Sequence, residues 1–126
     1  MHRSRVSTFV IDCQVDDLED AAAFWSAALG RPARRTNDDP NYCALATPDG
    51  ATTLVLQKVE HDSRIHLDIE CDDLEAEVAR LERLGARRVR FHKRWWVMQA
   101  PTGHVFCVVN RGRPLEEKTD AAAWPD

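Results

Sequence analysis

The chain says nearly the same thing twice. "FVIDCQVDDLE" at Phe9 to Glu19 and "RIHLDIECDDLE" at Arg64 to Glu75 align at an offset of 56 residues, which sets Asp12 on Asp68, Asp16 on Asp72, Asp17 on Asp73, Leu18 on Leu74 and Glu19 on Glu75. One position differs in kind, since Val10 falls where the second copy has His66. At 126 residues the chain has room for one domain with a real core and not for two independent ones. The repeat therefore describes two copies of one supersecondary unit inside a single domain.

Each copy changes its hydrophobic period at the same place. Val10 to Val15 and Ile65 to Cys71 mix β-branched or apolar residues with single polar ones, which predicts strands. A helix follows each. Asp16 with Glu19, and Asp72 with Glu75, have the spacing of a capping box, in which the Asp carboxylate accepts the first free amide protons. Behind them Leu18, Ala22, Trp25 and Leu29 recur at helical spacing, as do Leu74, Val78, Leu81 and Leu84, until Gly30 and Gly85 end the helices. Short strand-like runs come next: Ala33 to Arg35, Tyr42 to Ala46 and Thr52 to Val59, then Arg87 to Phe91, Trp95 to Gln99 and Val105 to Val109. "TPDG" at Thr47 to Gly50 and "APTG" at Ala100 to Gly103 place Pro second and Gly fourth, as a type I turn prefers. Both halves thus read strand, helix, strand, strand, strand.

Composition narrows the function classes. The chain is 44% hydrophobic and 30% charged, the mixture of a globular domain. A formal charge of -4 with interspersed signs gives no general attraction for phosphate backbones or anionic membranes, so neither nucleic acid nor membrane is an expected partner. "MHRSRVSTFVID" lacks a long apolar run, so no signal peptide or span is expected and the cytoplasm is the expected address. Cys13, Cys43, Cys71 and Cys107 show no CxxC spacing and read as free thiols.

Two βαβββ halves with "DDLE" at the strand-to-helix junction and a turn Pro and Gly before the last strand resemble the vicinal oxygen chelate superfamily, which includes glyoxalase I, bleomycin-resistance proteins and extradiol dioxygenases. The resemblance runs from about Ser7 to Asn110 and rests on "VDDLEDAAAFWSAALG", on "HLDIECDDLEAEVARLERLGA" and on "APTGHVFCVV". It implies an α+β fold in which two modules, about 6–60 and 64–110, form curved mixed sheets around a cup, leaving a polar tail at 111–126. It also implies a small-molecule ligand, lyase, isomerase, dioxygenase or drug-sequestering ancestry, and pairing into homodimers.

In metal-dependent members of that superfamily four side chains project into the cup. Carried over by counting, those positions are Val10, seven residues before Asp17; Leu54, four after Gly50; His66, seven before Asp73; and Cys107, four after Gly103. Val and Leu have no donor atom, and a catalytic metal site normally takes three or more protein ligands, so no metal or other cofactor is expected. His66 is read either as a hydrogen-bond anchor or general base for a ligand carbonyl, or as a histidine satisfied by a neighbour such as Asp68. Asp68 shares its strand face by alternation, and Asp12 can approach from the first half. Trp95 and Trp96, adjacent in "HKRWWVMQA", must face opposite sides of a sheet, so one ring is expected in the cup. The candidate ligand-binding set is therefore His66, Asp68, Asp12, Trp95, Trp96 and Cys107, with His66 and Asp68 as the candidates for catalysis. Phe24 and Trp25 are expected in the core, while Gln57, His61, His92 and His104 read as surface or pocket rim. The tail from Arg111 reads as a disordered end or, through Trp124, as a segment docked on the body or on a second copy. The expected function is binding of a small organic molecule without the usual metal; the alternatives are a metal-independent enzyme using His66 with Asp68 or Asp12 as acid and base, and a non-catalytic assembly or regulatory domain.

Overall fold

The computed structural model describes residues 1–34, 39–118 and 120–125. They divide into two units, one made of residues 8–66 and the other of residues 1–7 with 67–126. Strands β1 (His2–Cys13) and β5 (Arg64–Cys71) carry the chain from one unit to the other.

In the first unit β1 leads into α1 (Leu18–Leu29), then β2 (Ala33–Arg34), β3 (Tyr42–Leu45) and β4 (Thr53–Lys58). β1 pairs with β4 in parallel, with Val10 beside Val55 and Asp12 beside Gln57, and β4, β3 and β2 continue antiparallel. Alternation sends Ile11 and Cys13 to one face, where they pack with Leu18 and Ala22 of α1 and with Cys43, Leu45, Leu54 and Leu56. Val10 and Asp12 take the other face.

The second unit repeats the pattern with β5, α2 (Leu74–Arg83), β6 (Arg87–His92), β7 (Trp95–Gln99) and β8 (Val105–Val109). β5 pairs with β8 in parallel, with Asp68 beside Cys107, and β8, β7 and β6 run antiparallel. Cys71, Val78, Leu81, Met98, Phe106 and Val108 form its core under α2. The resulting α+β architecture of two like modules is the one the repeat predicts.

Several details depart from the sequence expectation. The helices are capped one residue later, by Asp17, whose carboxylate accepts from the Glu19 amide at 2.8 Å, and by Asp73, which accepts from Ala76 at 3.1 Å. Asp72 instead accepts the Arg3 amide at 2.7 Å, because β1 reaches it. Gly30, at φ 68°, ends α1 in the left-handed region, and Gly85, at φ 106°, follows Leu84; a Cβ on Gly85 would also stand 3.0 Å from Pro101. Phe24 is not core: it is 62% exposed and meets Trp25 edge-on at 5.1 Å between centroids. Leu29, the last residue of α1, and Leu84, the C-cap of α2, are likewise exposed. Arg35, placed in a strand by the sequence, lies outside the described residues.

The largest departures concern the ends. β1 begins at His2, eight residues before Val10, and the tail forms β9 (Ala122–Trp124), antiparallel to His2–Ser4. Polar groups bury this edge. His2 Nε2–H donates to Glu77 Oε1 at 2.8 Å, and Arg80 grips the same carboxylate with Nε and Nη2 at 2.8 and 2.9 Å. The Arg80 guanidinium lies 3.9 Å over the Trp124 ring, whose Nε1–H donates to Ser4 Oγ at 2.9 Å. Nearby, buried Glu70 accepts from Arg113 and from Arg5, and Arg5 also bonds Asp120.

These pairs make stability depend on acid. Burial pushes the Glu70 and Glu77 carboxyls up, but Arg113 and Arg5 for the one, and Arg80, His2 and Ser4 for the other, more than offset it, so both sit below the usual 4.5. A carboxyl lowered by folding contributes its stability in full above the unfolded value and loses it as the pH falls through the folded one. Urea midpoints should therefore hold from pH 7 to about pH 5 and decline below about pH 4.5. Replacing Glu77 by glutamine should flatten that decline; an unchanged acid limb would show that Glu77 is not its source.

Candidate functional site

The site begins with a carboxylate where a core residue would be expected. Asp12 is 2% exposed on the face of β1 turned away from α1. His66, the third residue of β5, points Nδ1 at Asp12 Oδ2 across 2.8 Å. An ionised carboxylate only accepts, so Nδ1 carries the proton and Nε2 holds the ring's lone pair when the imidazole is neutral. Asp12 is thus the acid that meets His66 at Nδ1.

Two basic side chains stand on the same carboxylate. Arg64 Nε lies 3.8 Å and His61 Nε2 4.0 Å from Asp12 Oδ2, outside hydrogen-bond range but within Coulombic reach. Both are about half exposed, Arg64 at 49% and His61 at 42%. His61 Nδ1–H donates to the Asp62 carbonyl at 2.8 Å, which holds the ring with Nε2 toward Asp12. Asp12 Oδ1 is buried and has no hydrogen-bond partner among the described residues. Gln57, the strand neighbour of Asp12, donates through Nε2 to the Tyr42 hydroxyl at 3.1 Å. Sequence reasoning left His61 and Gln57 at the rim and passed over Arg64, although Arg64 opens β5 two residues before His66 and shares its face by alternation; the short β4-to-β5 connection that carries His61 has no motif.

In the other unit Asp68 and Cys107 are neighbours across the β5–β8 pair, and Cys107 in turn neighbours Val97 on β7. Directly paired residues share a face, so Asp68, Cys107, Val97 and Trp95 lie on the side away from α2. Arg111 Nη2 reaches Asp68 Oδ2 at 3.5 Å, and Trp95 meets His92 edge-on at 5.2 Å. Trp96 leaves the candidate set. It packs on the α2 side with the core, its Nε1–H directed at Glu75 Oε1 across 3.4 Å and Arg88 above its ring at 4.9 Å. Cys71 is no nucleophile either, since burial and then the charge of Glu77 push its thiol up to about 12.

Leu54 also needs correction. It packs against the α1 core, so it cannot match Cys107, which faces the other way. The residue equivalent to Cys107 by register is Gln57, because Asp12 and Asp68 are the matched first-strand residues and Gln57 and Cys107 are their partners. Of the positions assigned to metal ligands, Val10 has no donor and Leu54 faces the core. Gln57 is engaged by Tyr42.

The family model for glyoxalase-like domains matches residues 8–109. The chain belongs to that family. Solved structures with the same fold include methylmalonyl-CoA epimerase from Mycobacterium tuberculosis, at 21% identity and a TM-score of 0.62 over 86% of this chain and 89% of that one. The Streptomyces coelicolor methylmalonyl-CoA epimerase, solved with 2-nitronate-propionyl-CoA, gives 16%, 0.59, 86% and 98% in the same order. A glyoxalase/bleomycin resistance protein/dioxygenase superfamily member from Vibrio splendidus 12B01 gives 18%, 0.60, 85% and 98%. No curated protein sequence matches the chain significantly. Among the described residues no helix is long and apolar enough to cross a membrane.

Proposed function

We propose that the chain binds a small organic molecule at the strand face carrying His66, and does so without a resident divalent metal. The observation that carries the reading is the 2.8 Å bond from His66 Nδ1 to a buried Asp12 carboxylate. Such a pair fixes the ring in one tautomer, with Nε2 as an acceptor for a ligand hydroxyl in the neutral ring and as a donor to a ligand carbonyl in the imidazolium. Supporting it, a related fold holds a CoA ester in the Streptomyces epimerase. The same bond favours a second reading, in which His66 is a general base for proton transfer on a small carbonyl compound, with Asp12 stabilising the imidazolium. Homodimerisation belongs to this proposal too, supported by exposed Val89 and Phe91 on β6, an edge strand; sedimentation showing only monomer at micromolar concentration contradicts it.

The test is the ring-nitrogen NMR spectrum of His66 while small carbonyl and carboxyl compounds are added. The wild type should show the Nδ1–H tautomer and a shift at Nε2 with the compounds that bind. Asp12→Asn should lose the tautomer preference and weaken that response. An Nε2–H tautomer in the wild type, or an Nε2 that no compound moves, contradicts the reading.

A further inference from the structure

Three basic side chains converge on one acid. His61, Arg64 and His66 all approach Asp12 Oδ2, at 4.0, 3.8 and 2.8 Å, and only His66 comes within hydrogen-bond range of it. The exposure is graded: the acid is buried, His66 is 13% exposed, and Arg64 and His61 are half exposed. Meanwhile Asp12 Oδ1 stands one donor short, and a buried acceptor left so is costly. The outer part of the cluster thus has a guanidinium not hydrogen-bonded to the acid, and its inner part has an unused acceptor.

Resting on the proposed ligand site at His66, we infer that its ligand is a small hydroxy acid or a molecule carrying that unit, with the anionic group held by Arg64 and His61 and an adjacent hydroxyl donating to Asp12 Oδ1. Arg64 contributes a planar donor fork suited to a carboxylate. His61 adds Nε2, which becomes a second donor when the ring is protonated. As these two half-exposed side chains turn outward onto the anion, the hydroxyl reaches the carboxylate they now screen. An anion without the hydroxyl leaves Oδ1 unpaired, and the hydroxyl without the anion leaves the cations unmatched. Both halves are needed for the full affinity.

Three compounds separate the halves: glycolate has both groups, acetate the anion alone, and glycolamide the hydroxyl on a neutral amide. Each is titrated at pH 7 into the whole chain, with the His66 and His61 ring nitrogens as the readout. Glycolate should bind roughly tenfold or more tightly than either of the others, the usual effect of one charge-assisted hydrogen bond. Arg64→Gln, at an exposed position that leaves folding intact, should weaken glycolate to about the level of glycolamide while leaving glycolamide unchanged. Glycolate equal to glycolamide, or untouched by Arg64→Gln, overturns the anionic arm. Equality of glycolate and acetate overturns the assignment to Asp12 Oδ1. In these cases movement of the His66 resonance still sustains the ligand site itself, whereas no response to any compound removes both.

Discussion

Replacing Glu77 by alanine lowers the stability of the folded chain by about 3–5 kcal/mol, because it breaks a buried charge cluster from the middle. The carboxylate is fully buried and takes one bond from His2 and two from Arg80. Without it His2 Nε2 loses this carboxylate partner, and Arg80 loses the anchor that holds it over the Trp124 ring. The loss reads as a fall in urea midpoint at pH 7 that shrinks below about pH 4.5, where Glu77 of the unfolded chain takes up a proton before that of the folded one. A change under about 1 kcal/mol at pH 7 would mean that the cluster's Coulombic gain does no more than match its desolvation.

Leu115→Ala is expected to cost about 2–5 kcal/mol, the range for emptying a closed leucine site. Leu115 has no exposed surface although it lies in a run of polar residues beyond the repeat. The segment around it is tied down by Arg113 on Glu70, Asp120 on Arg5 and the β9 pairing. Leu84→Ala provides the control: at 65% exposure it should stay within about 0.5 kcal/mol. Equal effects from the two substitutions would place the tail in solvent and return it to the disordered end that its composition implies.

Why the tail and the first residues escaped the sequence reading is a matter of what buries them. Hydrophobic period identifies α1, α2 and the strands from β3 to β8 because apolar side chains cover those elements. The start of β1 is buried through His2, Ser4, Ser7 and Thr8, and β9 through a tryptophan seated on an arginine, so neither shows an apolar pattern. Tandem Asp residues hide the caps: Asp16–Asp17 and Asp72–Asp73 each offer two carboxylates, and only the path of the neighbouring strand decides which one caps. Leu54 shows the limit of counting from a turn. Strand register, not distance from Gly50, puts Gln57 beside Asp12, and a one-residue error reverses the face. At the site the alignment of the repeats exposed His66 as the odd residue and Asp12 as its possible neighbour, since both stand on strand positions the repeat defines. His61 reaches Asp12 through a connection whose geometry no periodicity encodes, whereas Arg64 was legible by its two-residue spacing from His66 on β5.

The proposal that His66 serves a metal-free small-molecule site is tested most directly by native mass spectrometry of freshly purified, untagged protein beside its His66→Ala variant. The account predicts a retained organic molecule on the wild type, none on the variant, and no stoichiometric divalent ion on either. Stoichiometric zinc, nickel, iron or manganese on the wild type, lost with His66→Ala, would contradict it and make the chain a metalloprotein.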